Sequence, residues 1–61
     1  MALYRITAFE KNGETIVDEQ FEASSDLEAK KIGEDKLSTI GAIDKTHRCI
    51  NPTGKLLLFH P

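Results

Sequence analysis

Read for alternation of apolar and polar positions, the chain opens with two strand-like runs, LYRITAFEK and ETIVDEQFEA, separated by Asn12-Gly13. That dipeptide is preferred in a two-residue type I′ hairpin turn, because both central residues of such a turn need positive φ. The turn sets Lys11 opposite Glu14, Phe9 opposite Ile16, Ala8 opposite Val17 and Tyr4 opposite Phe21. Sorted by the two-residue period of a strand, one face carries Tyr4, Ile6, Ala8, Val17 and Phe21, with Glu19 as its one misfit. The other carries Leu3, Arg5, Thr7, Phe9, Ile16, Asp18, Gln20 and Glu22, of which only Leu3, Phe9 and Ile16 are apolar. The first face is the predicted core side.

The period then lengthens. In SSDLEAKKIGEDKLSTIG, Ala29, Ile32, Gly33, Leu37 and Ile40 fall in one stripe at 100° per residue, with Lys30, Lys31, Glu34 and Asp35 largely outside it. An amphipathic helix of about 15 residues follows from this spacing. Its start reads as a capping box: Ser25 accepts from the amide of Glu28, Glu28 reaches back to the amide of Ser25, and Asp26 adds negative charge to the first turn. Gly41 is placed to end the helix in the left-handed conformation. Gly33 lies inside the apolar stripe, where it costs roughly 1 kcal/mol relative to alanine, so a close approach of helix and sheet is expected there.

The last segment, DKTHRCINPTGKLLLFHP, is a second hairpin around Asn51-Pro52-Thr53-Gly54, with proline presetting φ and glycine taking a left-handed bulge. A three-residue loop puts Ile50 opposite Leu56, Cys49 opposite Leu57, Arg48 opposite Leu58 and His47 opposite Phe59. Both faces now hold apolar residues: Ile50, Leu56 and Leu58 on one, Cys49, Leu57 and Phe59 on the other. The predicted fold is α+β, a single small domain over residues 1–61 in the order ββαββ, with an antiparallel sheet of two hairpins and one amphipathic helix packed on one face. One helix covers only one face of a sheet. Leu3, Phe9, Ile16, Cys49, Leu57 and Phe59 are therefore the expected interface residues on the open side.

Size strengthens that expectation. A chain of 61 residues buries only about 60% of the surface it exposes when unfolded, and a lone Cys49 makes no internal disulfide. A protein partner is the remaining common source of stability. With 39% hydrophobic and 30% charged residues the composition is that of a soluble globular domain. No apolar run approaches the roughly 20 residues a bilayer requires, and MALYRITAFEKNG lacks the pattern of a secretory signal, so a cytoplasmic location without membrane contact is expected.

The net charge of −2 is unevenly spread. Residues 14–28 hold six acids (Glu14, Asp18, Glu19, Glu22, Asp26, Glu28) and no Lys or Arg, while residues 29–61 hold six bases against three acids. This asymmetry can steer a partner or pair two copies, but it is too small for a nucleic-acid footprint by itself. Arg5, Lys45, Arg48 and Lys55 are the candidates for a basic sheet face, the alternative reading.

Catalytic chemistry finds little to work with. His47, Cys49 and His60 are the only soft metal ligands, one short of a closed zinc site. Cys49 lies mid-strand, away from any helix N-terminus that would lower its pKa. PTGK lacks the first glycine of a phosphate loop and runs into a strand instead of a helix. No catalytic residue, metal or cofactor is expected. The sequence points to a non-catalytic module that forms a homodimer, or binds another protein, through its apolar C-terminal hairpin.

Overall fold

The computed structural model covers residues 1–61 and has the predicted α+β architecture. β1 (Ala2–Phe9) and β2 (Thr15–Ala23) form the first hairpin, α1 (Asp26–Thr39) crosses one face, and β3 (Thr46–Ile50) and β4 (Leu56–His60) form the second hairpin. All four strands join one antiparallel sheet in the order β2-β1-β3-β4, which makes β2 and β4 its edges. The central position of β1 explains why Tyr4, Ile6 and Ala8, its residues beneath the helix, are buried.

Both ends of α1 follow from local chemistry. Ser25 Oγ accepts from the Glu28 amide at 3.1 Å, as expected of the cap. The carboxylate of Glu28 returns to Ser24 instead of Ser25, accepting from its amide at 3.1 Å and its hydroxyl at 2.9 Å. At the other end Gly41 takes φ 72°, its amide donates to the Ser38 carbonyl, and the Ala42 amide donates to Leu37 at 2.7 Å. This double bond pattern is a Schellman motif, and it folds Ala42 into the core beside Leu37. Ile40, expected in the buried stripe, becomes the cap residue and is 47% exposed.

Gly33 sits at the expected close approach. A Cβ built there would stand 3.0 Å from Leu58 Cδ1, 3.5 Å from Ile6 Cδ1 and 3.7 Å from Cys49 Sγ. Glu19, the misfit on the core face, is met by Lys36 from the helix at 2.9 Å. The same lysine stands over the Phe21 ring, whose other neighbour is the stacked ring of Tyr4.

Two bulges change the strand register that the turns alone predict. In the first loop only Gly13 has positive φ, so Asn12-Gly13 is not a type I′ turn. The Gly13 amide donates to Glu10 at 2.9 Å and the Glu10 amide to Glu14 at 2.8 Å, closing a three-residue loop, Lys11–Gly13. A second irregularity then restores the expected pairing from Ala8–Val17 to Tyr4–Phe21 and leaves Ile16 as an extra residue between Thr15 and Val17. In the second hairpin the predicted loop and the Ile50–Leu56 pair are present, but a bulge follows. Cys49 pairs with Leu58, Arg48 with Phe59 and His47 with His60, leaving Leu57 unmatched.

A bulge places consecutive residues on the same side of a strand, and here both bulges favour the helix side. Ile16 packs with Val17 against the core, and Leu57 joins Tyr4, Ala23 and Ala29. Three of the six residues expected on the open side are thereby corrected: Ile16, Cys49 and Leu57 lie on the helix side of the sheet. The core they complete is thin, since Ile6, Leu37 and Cys49 are its largest fully buried side chains.

Candidate functional site

The pairing register lays out the face that the helix leaves open. One row across the sheet reads Asp18, Thr7, Arg48, Phe59, and the next reads Gln20, Arg5, Ile50, Leu56. Leu3 opposite Glu22 extends the face at one end, and Thr15, Phe9 and Thr46 close it at the other. The apolar members are thus Leu3, Phe9, Ile50, Leu56 and Phe59. Phe59 is 62% exposed, Leu3 54% and Leu56 50%.

Leu3, Phe9 and Phe59 are where the sequence puts them, while Ile50 and Leu56 take the places expected for Cys49 and Leu57. Sequence reasoning missed that exchange because the four-residue run Leu56 to Phe59 carries no mark of where the alternation breaks. The available signal was the run itself: unbroken apolarity next to a glycine-containing turn is compatible with a bulge.

Electrostatics divide the face. Arg5 donates to both oxygens of Asp18 at 3.0 Å in a forked ion pair. Arg48, two strands from Asp18, has no carboxylate within 4.0 Å. Between them lies a depression of about 360 Å³, lined by Arg5, Thr7, Phe9, Asp18, Arg48 and Ile50. Phe59 projects from the same face one strand further on.

The four residues of the basic alternative do not converge. Arg5 is neutralised by Asp18, and Lys45 by Glu10 at 3.1 Å, a bond that raises the lysine pKa. Lys45 precedes β3 and Lys55 follows the turn at its other end, so the two flank the strand at opposite ends. Arg48 alone remains as an unpaired base in the middle of the face.

His47 and Cys49 point to the helix side of β3, where both are buried. Burial pushes the Cys49 thiol above its ordinary pKa, the reverse of what a thiolate nucleophile needs. His47 donates from Nδ1 to the Lys45 carbonyl at 2.9 Å and lies 5.6 Å, centre to centre, from the ring of His60. No three His, Cys, Asp or Glu side chains gather into a metal-holding group. No helix is long and apolar enough to cross a membrane.

Comparison with known proteins gives a family. The model of the family described as YhzD-like protein matches residues 1–61. A Bacillus subtilis (strain 168) protein described as "Uncharacterized protein YhzD" is 47% identical over 60 residues, spanning 98% of each chain. No solved structure matches. Because both matches run through every strand, the helix and both turns, the chain belongs to the YhzD-like protein family.

Proposed function

We propose that this protein is a non-catalytic interaction module that self-associates through its open sheet face as a two-fold dimer. One observation carries the reading: the exposed Phe59 and the depression lined by Arg5, Thr7 and Asp18 lie on the same face, displaced from each other across the strands. A two-fold axis parallel to the strands, between β1 and β3, lays β4 of one copy over β2 of the other. Phe59 of each copy then enters the depression of its partner, and the unpaired Arg48 approaches the acidic β2 side bearing Asp18 and Glu22. Such a contact is isologous and closes on itself.

Geometry also sets its strength. Four strands spaced ~4.8 Å apart, with about five residues each rising ~3.3 Å, offer roughly 300 Å² of projected face. Even doubled for side-chain relief, this is below the ~800 Å² per partner of a standard interface. The expected dimer is weak, with a dissociation constant in the micromolar range or above.

Sedimentation equilibrium over a wide concentration range tests this. The weight-average mass should climb from the 6.8 kDa of the chain toward twice that value. Phe59→Asp should hold the protein at the monomer mass while leaving its far-UV spectrum intact, because Phe59 is largely exposed and belongs to neither core cluster. A concentration-independent monomer at millimolar protein would refute the dimer. Salt-dependent binding of single- or double-stranded oligonucleotides, weakened by Arg48→Glu, would favour the basic-face alternative instead.

A further inference from the structure

On the helix side the sheet has a second unfinished surface. β2 is an edge strand of nine residues, Thr15–Ala23, and an edge strand directs alternate N–H and C=O groups outward with no partner. Beside this edge runs a groove of about 630 Å³ between β2 and the C-terminal half of α1. Ile16, Val17, Ile32 and Ile40 supply its apolar lining, and Glu19, Asp35, Lys36 and Thr39 supply the polar part. No residue of β1 lines it, so it lies at the margin of the sheet and not beneath the helix.

We infer that the β2 edge and this groove together take an extended peptide segment of a partner protein, added as a fifth strand, with apolar side chains alternating with lysine or arginine. Each half of that description has its own cause. The backbone edge demands a strand, and the groove on one side of it accepts every second side chain. Charge selects the remaining ones. Residues 14–23 carry Glu14, Asp18, Glu19 and Glu22 with no base, and Asp18 and Glu22 lie on the side of β2 that these remaining side chains face. Asp18 and Glu19 are already held by Arg5 and Lys36, whereas Glu14, Glu22 and Asp35 have no ion-pair partner.

The same charges choose against other occupants. A β2 edge from a second copy would bring acids against acids. The other edge, β4, has only five residues, and its joining to β2 of the next copy would be a head-to-tail contact that builds a ring or a filament instead of a closed pair. The bulge at Ile16 strengthens the case for a side-chain-reading groove. It turns Ile16 inward beside Val17, giving two adjacent apolar residues at the mouth where a regular strand would give one.

The test is a titration of the isotope-labelled protein with a pool of synthetic peptides of roughly eight residues, lysine or arginine alternating with Val, Ile, Leu or Phe. Amide shifts should appear in β2 and in the stretch from Ile32 to Ile40, and not at Arg48 or Phe59. Of two pools N-methylated at every second residue, one on the apolar positions and one on the basic positions, the pool that blocks the amides facing β2 should lose binding. Glu14→Lys and Glu22→Lys, both at exposed positions, should each weaken it several-fold, and together about ten-fold or more. The inference is overturned if no shifts arise at about 1 mM peptide, if neither N-methylated pool loses binding, or if the charge reversals have no effect. It is equally overturned if the shifts fall on the open face, or if the protein alone forms species larger than a dimer that peptide dissolves, since β4 of another copy would then be the occupant. Because the groove and the open face are on opposite sides of the sheet, Phe59→Asp should leave peptide binding unchanged, which separates this result from the fate of the dimer.

Discussion

At the scale of single residues, the buried thiol and phenol give the molecule a pH dependence with a definite sign. Burial raises Cys49 above its ordinary 9.0, and the hydrogen bond to Asp26, first among several causes, raises Tyr4 above 10.0. A folded-state pKa raised in this way means that the unfolded chain loses its proton first as pH rises. The stabilisation is complete below the unfolded values and disappears as pH climbs through the folded ones, so melting temperature should fall from about pH 9 upward. Cys49→Ala should flatten the first part of that fall, a comparison that thermal melts at closely spaced pH values would settle. Glu28 works in the opposite sense: its bonds from the Ser24 amide and hydroxyl lower it from 4.5, so its contribution is present above that value and fades in more acidic solution. The same burial predicts that a thiol reagent labels Cys49 in native protein far more slowly than in denaturant. Fast labelling of the native state would show that the helix opens readily over β3. Gly33 is the most constrained residue by distance. Gly33→Ala sets a helix-propensity gain of about 1 kcal/mol against a 3.0 Å contact with Leu58 Cδ1, the end of a flexible side chain that can give by a few tenths of an ångström, and should be nearly neutral. Gly33→Val has no such escape and should destabilise by roughly 1–3 kcal/mol, measured by urea unfolding.

At the scale of elements, the two hairpin loops look alike in sequence, each with an asparagine and a glycine, yet they are tied differently. Asn12 Oδ1 accepts a single bond, from the Glu14 amide at 3.0 Å. Asn51 Oδ1 accepts from the Thr53 amide and hydroxyl and from the Lys55 amide, and its Nδ2 reaches Asp26 at the start of the helix. With about 1 kcal/mol net for each ordinary bond, Asn51→Ala should cost about 2–3 kcal/mol and Asn12→Ala at most about 1. Chemical denaturation of the two variants side by side checks the ranking, and equal losses would mean that the Asn51 network is slack. The hairpins, the helix, its cap serine and the Gly33 contact were legible in the sequence because each rests on local chemistry: a period, a capping oxygen, a residue without a Cβ. The bulges were not. Each depends on what the neighbouring strand and the helix require, and in TIV and LLLF both alternations are equally apolar. That ambiguity misplaced Ile16, Cys49 and Leu57, while Leu3, Phe9 and Phe59, fixed by unbulged stretches or by pairing with Arg48, came out on the open face.

For the whole molecule, these same bulges decide where apolar surface is spent. By turning Ile16 and Leu57 inward they enlarge a core whose largest fully buried members are only Ile6, Leu37 and Cys49, and they leave Phe59, Leu56 and Leu3 outside. A fold of this size holds a few kcal/mol of stability, so even weak association is a sizeable addition. Association that favours the native state over the unfolded one must raise the melting temperature with protein concentration. Each ten-fold increase above the dissociation constant adds up to ~1.4 kcal/mol per mole of dimer, or about half that per chain. For a chain this short, ~1 kcal/mol moves the midpoint by roughly 4–8 °C, so a rise of a few degrees per decade is expected. Phe59→Asp should abolish this slope and leave the midpoint of dilute protein where it was, because the side chain is exposed, belongs to neither core cluster, and in the proposed dimer is buried only by the partner. If the variant melts lower even at high dilution, Phe59 serves the monomer, and the open face is held shut by its own side chains. If the wild-type midpoint is independent of concentration from micromolar to millimolar, the face has no second copy to meet.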